Sequence, residues 1–355
     1  MIMAGGKGER FWPKSRVSKP KQLLPIVSNN TMIEDTVKRL EGLAEYKNIF
    51  ISTNESLLDD IRKILPQIPT ENYILEPFGR DTAPAIAFGA VFIQKRDPGS
   101  VMVVLPADHL IMEKDIFQKD LTIAQNLARD TGCLITFGIK PARIETGYGY
   151  IELGEVINTE YDNHAYEVIS FKEKPDYTLA KEYFQKGNFM WNSGMFIWTT
   201  NAILEAIEKY LPEMYNGLME IEDSIGTADE KEVIRKNFET FPKISIDYGV
   251  MEKSDNVLSL KAQYTWDDVG SWSSLSRVNK MDENNNVIRS DWKGIDTKNS
   301  IVISDHGIIS TIGINNLVIV KDGDAVLVAD RSREQEVKKI VQELKDNNDL
   351  KKYIL

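Results

Sequence analysis

The sequence predicts an α/β protein with a doubly wound, mostly parallel sheet and a small C-terminal β-rich domain. Apolar runs of strand length alternate with amphipathic helical patterns through the first 140 residues. The runs are continuously apolar, which is typical of parallel strands covered on both faces. Regular alternation of strand and helix is typical of doubly wound folds. A change of texture after about residue 281 indicates the second domain.

The elements of the first part follow one another as strand and helix in turn. Strands are predicted at the continuous apolar runs 48–53, 73–77, 101–106 and 133–139. Helices are predicted where apolar residues recur at spacings of three and four, in segments 31–43, 55–65, 81–96 and 114–130. Ligands of such sheets bind beyond the carboxyl ends of the strands, so the loops there are the first candidates for function.

The rest of the chain combines a mixed segment with a β-rich segment. Residues 141–280 contain predicted strands at 166–175 and 191–198 and predicted helices at 176–187, 201–210 and about 229–239. After the polar break MDENNN, short β-branched runs recur at 300–303, 308–312, 317–320 and 325–328, and an amphipathic pattern follows at 332–347. Such regular short runs are typical of an all-β unit. We therefore expect two domains, 1–280 and 281–355.

Composition and charge narrow the class of protein. The chain has 355 residues, a net charge of -11 and one cysteine, Cys133, so no internal disulfide can form. An acidic average surface would repel phosphate, which argues against nucleic acid or an anionic membrane as a partner. No apolar run approaches membrane-spanning length. We expect a cytoplasmic protein.

The opening segment concentrates positive charge around glycines. MIMAGGKGERFWPKSRVSKPKQLLP contains one acidic residue, Glu9, and six cations: Lys7, Arg10, Lys14, Arg16, Lys19 and Lys21. Glycines bring backbone N–H groups close to phosphate oxygens, so the segment favours polyphosphate binding over a tight turn with solvated charges. Phe11 stands where a dinucleotide fingerprint needs glycine, and Gly8 stands where a Walker A loop needs Ser or Thr.

The segment resembles the signature of the sugar-phosphate nucleotidyltransferases, G-G-x-G-x-R-x-x-P…P-K, here Gly5, Gly6, Gly8, Arg10, Pro13, Pro20 and Lys21. Within that family, further segments match the mannose-1-phosphate guanylyltransferases in order: EPFGRDTAPAI, LPADH, ETGYGYI, FKEKP, WNSGMF, SIDYGVMEKS and WDDVGSW. The resemblance covers about residues 1–280, and the tail is similar to that family's short left-handed β-helix. It implies a Rossmann-like nucleotidyltransferase fold and GMP transfer from GTP to α-D-mannose 1-phosphate.

The implied reaction explains why the cations are local. A phosphomonoester is already an anion at neutral pH because its second pKa is about 6, so no general base is needed and the protein must neutralise charge on the transferring group. By resemblance, the backbone at Gly6 and Gly8 surrounds the triphosphate, and Arg10 and Lys21 contact its oxygens. Lys14, Arg16 and Lys19 are expected only to raise the local potential.

Mg²⁺ is the expected cofactor, because nucleotidyl transfer commonly uses Mg²⁺ on one or two carboxylates. Asp108 follows the strand at 101–106, and Asp268 matches the family carboxylate. The common structural alternatives are a helix N-cap for Asp108 and a turn aspartate for Asp268. Asp267 ranks lower because successive strand residues point to opposite faces. His109 is expected to pack, since Mg²⁺ prefers oxygen.

The resemblance also assigns the two substrates' other contacts. Glu173, Lys174, Asn192 and the backbone at Gly147 are expected to bind the sugar phosphate, although an exposed charge run before a proline turn is the simpler interpretation of the first two. Asp247 lies in a matching motif without an assigned role.

Guanine's N1–H and N2–H donors suit one carboxylate, and Glu76 and Asp81 are the candidates. Thr82 and Pro84 would shape the base pocket. Relatives usually carry Asn where Asp81 stands, so this position leaves the exact base contact open.

Three other expectations complete the hypothesis. The alternatives are a nucleotidyltransferase for another sugar 1-phosphate or nucleotide, or a catalytically silent nucleotide-sugar sensor. No phosphomannose isomerase activity is expected, because that domain needs clustered histidines and this chain has three scattered ones, His109, His164 and His306. The segment after residue 281 is expected to be structural, and the protein a homodimer.

Overall fold

The structure is a computed structural model that describes residues 1–157 and 165–355; His164 lies outside the described residues. The chain forms two compact units. The larger unit comprises Met1–Gly5, Arg39–Pro106 and Ile111–Trp266. The smaller unit comprises Gly6–Lys38, Ala107–Leu110 and Asp267–Leu355. The segment that carries most of the basic loop therefore packs in the same unit as the C-terminal residues.

A nine-stranded sheet organises the larger unit, in the order β3-β2-β1-β4-β9-β6-β10-β8-β7. Its strands are β1 (Ile2–Met3), β2 (Ile51–Asn54), β3 (Tyr73–Glu76), β4 (Val101–Pro106), β6 (Leu134–Ile139), β7 (Tyr150–Ile157), β8 (Ala165–Lys172), β9 (Phe189–Thr199) and β10 (Val257–Lys261). The first four strands in this order are parallel, whereas β9 runs antiparallel to both β4 and β6. The sheet is therefore parallel at one side and mixed beyond β4.

The helices of the larger unit are α2 (Glu55–Ile64), α3 (Thr82–Arg96), α4 (Lys114–Thr131), α5 (Tyr177–Lys186), α6 (Thr200–Tyr210), α7 (Pro212–Ser224) and α8 (Glu230–Thr240). Helices α2, α3 and α4 alternate with strands as predicted, whereas α6, α7 and α8 follow one another directly. Local chemistry sets their ends. The Asp176 carboxylate accepts the Leu179 N–H at 2.9 Å and begins α5. Gly132 adopts the left-handed conformation that ends α4, with φ 68°. Among the described helices, none has the length and apolarity to span a membrane.

The smaller unit is built on four strands, β12 (Val287–Ile295), β13 (Ile301–Ile312), β14 (Leu317–Asp322) and β15 (Ala325–Asp330). The first three are parallel and stack Val287, Ile301 and Val318 in register. This parallel stacking of successive strands is typical of a β-helix. Its helices are α1 (Met32–Lys38), α9 (Leu275–Val278) and α10 (Val337–Asp346), and two-residue strands β5 (Leu110–Ile111) and β11 (Trp266–Asp267) lie where the chain changes units.

The core of the smaller unit joins sequence-distant segments. Phe11 and Trp12 from the basic loop are buried with Trp272, the β-helix residue Val318 and the α10 residue Val341. Phe11 and Trp272 meet edge to face, with ring centroids 4.9 Å apart. Because the loop contributes aromatic rings to this core, its backbone is fixed by burial as well as by hydrogen bonds.

Several predicted elements differ from the structure. The helix predicted at 31–43 ends at Lys38, and residues 39–43 form turns that include Gly42, whose φ is 90°. The runs 300–303 and 308–312 form the single strand β13, because a shift in its pairing with β12 accommodates the polar residues between them. Periodicity also missed α7, β7, β10 and β12. A domain boundary at about residue 281 stays a prediction.

Candidate active site

Gly8 makes a close approach that no other residue type could make. Its φ is 61°, and a Cβ placed there would lie 2.3 Å from the Lys21 Cβ. Its carbonyl accepts the Phe11 N–H at 3.0 Å and the Ser15 hydroxyl at 2.7 Å. Glycine is needed at this position by both backbone conformation and space. Gly6 lies on the same loop with open space around it.

Lys21 is buried, with 4% of its surface exposed. Its ammonium donates to the Asp108 carboxylate at 2.9 Å, to the Asp108 carbonyl at 2.9 Å and to the Asp268 carbonyl at 2.8 Å. An ammonium has three donors, so the protein satisfies all of them. A buried charge requires this kind of pairing. The structure thus brings two predicted site residues, Asp108 and Asp268, together around the ammonium of a third, Lys21.

The two candidate metal carboxylates differ in their surroundings. Partial burial acts to raise the pKa of Asp108, but the Lys21 charge and hydrogen bond outweigh it and hold that pKa below its usual range. The Asp268 carboxylate accepts the Gly270 N–H at 3.1 Å. Val269 between them has a φ of 46°, a strained conformation for a β-branched residue. This turn holds the Asp268 carbonyl at Lys21.

Asp267 has a separate role. Its carboxylate is buried and accepts two hydrogen bonds from Arg277, at 2.5 Å and 2.9 Å. A bidentate pair of this kind leaves little capacity for a metal. The structure therefore uses Asp267 to brace the turn that carries Asp268.

A pocket of about 340 Å³ opens beside these groups. Its lining residues all belong to the smaller unit and are Lys7, Gly8, Glu9, Arg10, Phe11, Lys21, Asp108, His109, Asp268, Gly270 and Lys338. Arg10 donates from Nη1 to the Gly270 carbonyl at 3.0 Å. The sequence interpretation missed Lys338, which lies on α10 outside every recognised motif.

The remaining loop cations have other partners. Lys14 forms an ion pair with Asp305. Arg16 pairs with Asp324 at 3.1 Å and with Asp322 at 3.8 Å. The expectation that these two residues serve only to raise the potential is incomplete, because each is tied to a carboxylate of the C-terminal segment. Charge runs read from sequence do not reveal such long-range partners.

A second cluster lies in the larger unit. Lys174 is paired with Glu173 at 2.5 Å and has a left-handed backbone, with φ 47°. Asn192 donates to the Asp247 carboxylate at 2.9 Å and accepts from the Thr136 hydroxyl at 3.1 Å. The structure thus brings Glu173, Lys174 and Asn192 together, as expected, and adds Asp247, for which the sequence provided no role.

The charges of this cluster perturb one another. Burial, followed by the Glu173 charge, raises the pKa of Asp247 to about 7. Burial acts to lower the pKa of Lys174, but its hydrogen bond and charge interaction with Glu173 outweigh it, so that pKa is raised. Two carboxylates and one ammonium therefore share this site, together with the amide of Asn192.

Two glycines approach the second cluster differently. Gly147 is exposed and its N–H donates to the Glu145 carboxylate at 3.0 Å. A Cβ at Gly149 would lie 2.5 Å from the Glu173 Oε2 and 3.2 Å from the Asn192 Cβ. Gly149 is therefore the glycine that gives this cluster room, a role that the sequence interpretation missed. The sequence feature that could have identified Gly149 is that it is the second glycine of the motif ETGYGYI.

The base candidates lie at β3 and the start of α3. Burial raises the pKa of Glu76 to about 7, and the Ser52 hydroxyl donates to its carboxylate at 2.9 Å. A Cβ at Gly5 would lie 3.8 Å from that carboxylate. Pro84 is buried in the first turn of α3.

Asp81 and Thr82 both stabilise the start of α3. Asp81 is exposed, has φ 72° and accepts the Thr82 N–H at 2.8 Å as the N-cap. The Thr82 hydroxyl accepts the Ile246 N–H at 2.9 Å. Asn tolerates positive φ and can cap in the same way. Asp and Asn would therefore both cap α3 at this position, and the capping role weakens the case for Asp81 as a guanine contact.

The donor set suits a hard cation that takes few protein ligands. Among the described residues, no group of three or more His, Cys, Asp or Glu side chains could hold a metal. The pocket has instead the two carboxylates of Asp108 and Asp268. Mg²⁺ is usually bound through one or two carboxylates together with substrate phosphates and water. The residues present therefore fit Mg²⁺.

Comparison with known proteins identifies the family. Residues 1–285 match the nucleotidyl transferase family, and residues 285–344 match the MannoseP isomerase/GMP-like beta-helix domain. The chain belongs to the nucleotidyl transferase family. The resemblance seen in the sequence, the α/β fold with a β-helix-like C-terminal part, and the assignment to the nucleotidyltransferase enzymes are confirmed.

Particular relatives refine the comparison. The mannose-1-phosphate guanylyltransferase of Escherichia coli is 40% identical over 353 residues, which cover 97% of this chain and 73% of that protein. Mannose-1-phosphate guanylyltransferase ManC of Salmonella typhimurium is 40% identical over 97% of this chain and 72% of its own length. A crystal structure of a mannose-1-phosphate geranyltransferase from Thermus thermophilus superposes with a TM-score of 0.87 at 35% identity, covering 97% of this chain and 98% of that one.

Proposed function

We propose that the protein transfers GMP from GTP to α-D-mannose 1-phosphate, giving GDP-mannose and pyrophosphate. The observation that carries this proposal is the pocket where Gly8, Arg10, Asp108 and Asp268 converge on the buried Lys21. Its combination of cations and carboxylates suits a polyphosphate with a metal. The names of the relatives supply the particular substrates.

The loop residues bind and orient the triphosphate. The backbone near Gly6 and Gly8 lies against its oxygens, and Arg10 contributes the N–H groups that its bond to Gly270 leaves over. Lys21 orients Asp108 and Asp268 and keeps Asp108 ionised. A direct contact from Lys21 to phosphate would require one of its three protein acceptors to be exchanged.

Asp108 and Asp268 would hold Mg²⁺. Bound there, the ion supplies positive charge to the phosphoryl oxygens during transfer. The ionised state of Asp108, which Lys21 stabilises, keeps this carboxylate ready to accept a cation at neutral pH. His109 lines the same pocket and is not assigned as a ligand.

The second cluster binds the sugar phosphate. Lys174 presents its ammonium to the phosphate, while Glu173 and Asn192 offer acceptors and donors to sugar hydroxyls. The exposed backbone at Gly147 is a further contact. Glu76 accepts the guanine N–H donors when ionised, and Gly5, Asp81, Thr82 and Pro84 shape the neighbouring surface.

Some wider assignments belong to the same proposal. Residues 1–280 form the nucleotidyltransferase domain with the recognised catalytic motifs, and residues 281–355 form a β-helical domain. The protein works as a homodimer in the cytoplasm, without nucleic acid or membrane partners and without isomerase activity. Light scattering of the purified protein tests the homodimer directly.

Pyrophosphate release tests the substrates. GTP, ATP, UTP and dTTP are each combined with mannose 1-phosphate and with glucose 1-phosphate, in the presence of Mg²⁺. The highest kcat/KM is expected for GTP with mannose 1-phosphate. A higher value for another pair would favour a different nucleotidyltransferase, and no release from any pair would favour a nucleotide-sugar sensor.

A further inference from the structure

The C-terminal helix α10 contributes a lysine to the wall of the pocket beside Lys21. Lys338 is the second residue of α10 and lines the pocket together with Lys7, Arg10 and Lys21. It is 66 positions beyond Trp272, where the recognised motifs end. The segment that the sequence interpretation treated as structural therefore reaches the pocket wall.

Several contacts fix α10 against the loop. Lys345 pairs with Glu9 at 2.5 Å, and Val341 is buried in the same core as Phe11. Residues 338, 341 and 345 are spaced along one face of a helix, so the face that packs on the loop is also the face that carries Lys338. The packing of α10 on the loop therefore fixes the backbone of Lys338 at the edge of the pocket.

A second anchor lies immediately before the helix. The buried Glu334 carboxylate accepts the Ser271 hydroxyl and the Ser273 N–H, both at 2.6 Å. These serines follow the turn that carries Asp268. The start of α10 is therefore tied to the same turn as the candidate metal ligand.

Some charged side chains around the pocket have ion-pair partners and others have none. Lys21 is paired with Asp108, and Glu9 is paired with Lys345. Within residues 1–157 and 165–355, the side chains of Lys7 and Lys338 have no hydrogen bond or ion pair, and both are exposed. The pocket thus combines a fixed centre with two lysines whose charges are available to an anion.

We propose that Lys338 binds the β- and γ-phosphates of the nucleotide, and therefore the departing pyrophosphate. This inference rests on the proposed nucleotidyl transfer. The groups that hold one another, Lys21, Asp108 and Asp268, suit the reacting phosphate, whose geometry must be constant. A lysine on a flexible stem with no protein partner suits the highly charged end that enters and leaves.

Calorimetry with Mg²⁺ and inorganic pyrophosphate tests the inference directly. Lys338→Ala is expected to weaken pyrophosphate binding about tenfold, the size of one charge-assisted contact. Lys338→Arg keeps the charge and should retain most of the affinity. Lys339→Ala is the matched control, because this neighbour pairs with Glu336 and does not line the pocket. Melting temperatures of the three variants should equal that of the wild type.

Two comparisons separate this inference from the proposed function. Binding of GDP-mannose should be unchanged by Lys338→Ala, because that product lacks the departing phosphates. Equal losses in the Ala variants of Lys338 and Lys339, a larger loss for GDP-mannose than for pyrophosphate, or no pyrophosphate binding by the wild type would each overturn the inference. Pyrophosphate affinity does not depend on the base or sugar, so a wrong substrate pair would appear only in the release assay.

Discussion

The two candidate site clusters each include a lysine–carboxylate ion pair, Lys21–Asp108 and Lys174–Glu173, and the side chains of the two pairs are exposed in opposite ways. In the smaller unit the side chain of Lys21 is 5% exposed and that of Asp108 is 35% exposed. In the larger unit the side chain of Lys174 is 58% exposed and that of Glu173 is 8% exposed. In each pair the buried side chain holds the exposed one in place and balances its charge, and the exposed side chain remains accessible to a ligand.

Because the exposed side chain is a carboxylate in one pair and an ammonium in the other, we expect the two sites to bind ligands of opposite charge. A carboxylate that a buried ammonium keeps ionised is suited to accept a cation, as proposed for Asp108 and Mg²⁺. An ammonium that a buried carboxylate holds in place is suited to accept an anion, as proposed for Lys174 and the sugar phosphate. Both sites also contain a strained backbone, with φ 46° at Val269 and φ 47° at Lys174. Strain of this kind clusters at functional sites.

Removing the accessible carboxylate should have the largest effect. Asp108→Asn and Asp268→Asn are each expected to lower turnover by about a hundredfold or more, because a charge contact in the transition state is lost. Pyrophosphate release at saturating Mg²⁺ measures this. Asp305→Asn is the control, since Asp305 is exposed and pairs with Lys14 away from the pocket. Near wild-type turnover for Asp108→Asn or Asp268→Asn would remove that residue from the metal site.

Replacing the buried Lys21 and the exposed Lys174 separately by alanine should distinguish a role in stability from a role in ligand binding. Lys21→Ala leaves three acceptors without their donor, which should cost roughly 1–3 kcal/mol of unfolding free energy and weaken GTP binding. Lys174→Ala removes one protein contact instead of three, so it should cost less unfolding free energy than Lys21→Ala while weakening mannose 1-phosphate binding about tenfold. Denaturant unfolding and calorimetry measure the two quantities. Equal stability losses in both variants would contradict the distinction between a buried and an accessible lysine.

The smallest expected effect is the contribution of Asp247 to the pH dependence of stability. Its folded pKa of about 7 lies above the usual value of 3.8 because burial and the Glu173 charge disfavour ionisation. Stability from the protonated form is fully present below about pH 4, the unfolded pKa of aspartate, and is lost as pH rises towards the folded pKa. Asp247→Asn removes this loss and should raise the melting temperature more at pH 8 than at pH 5.

Asn192 provides the control for this titration. Asn192→Ala removes the amide that donates to Asp247, so it should raise the carboxyl pKa further and should not abolish the pH dependence. If Asp247→Asn shifts the melting temperature equally at both pH values, Asp247 does not titrate in this range.

The sequence by itself determined the alternation of strands and helices, the glycine at position 8 and the order of the family motifs. These features depend on neighbours along the chain: apolar periodicity decides which face is buried, and a left-handed turn selects glycine. The same reasoning placed Asp108 after β4 and Lys174 beside Glu173. Both statements hold in the structure because each involves residues within one short segment.

Only the tertiary structure decided which charges meet. Lys21 finds acceptors 87 and 247 positions away, and Lys345 finds Glu9 across 336 positions. Composition showed six cations in the opening loop but not that Lys14 and Arg16 pair with distant carboxylates or that Lys338 joins the pocket. The physical reason is that an ion pair depends on distance and burial after folding, whereas local sequence specifies only the elements that carry the charges.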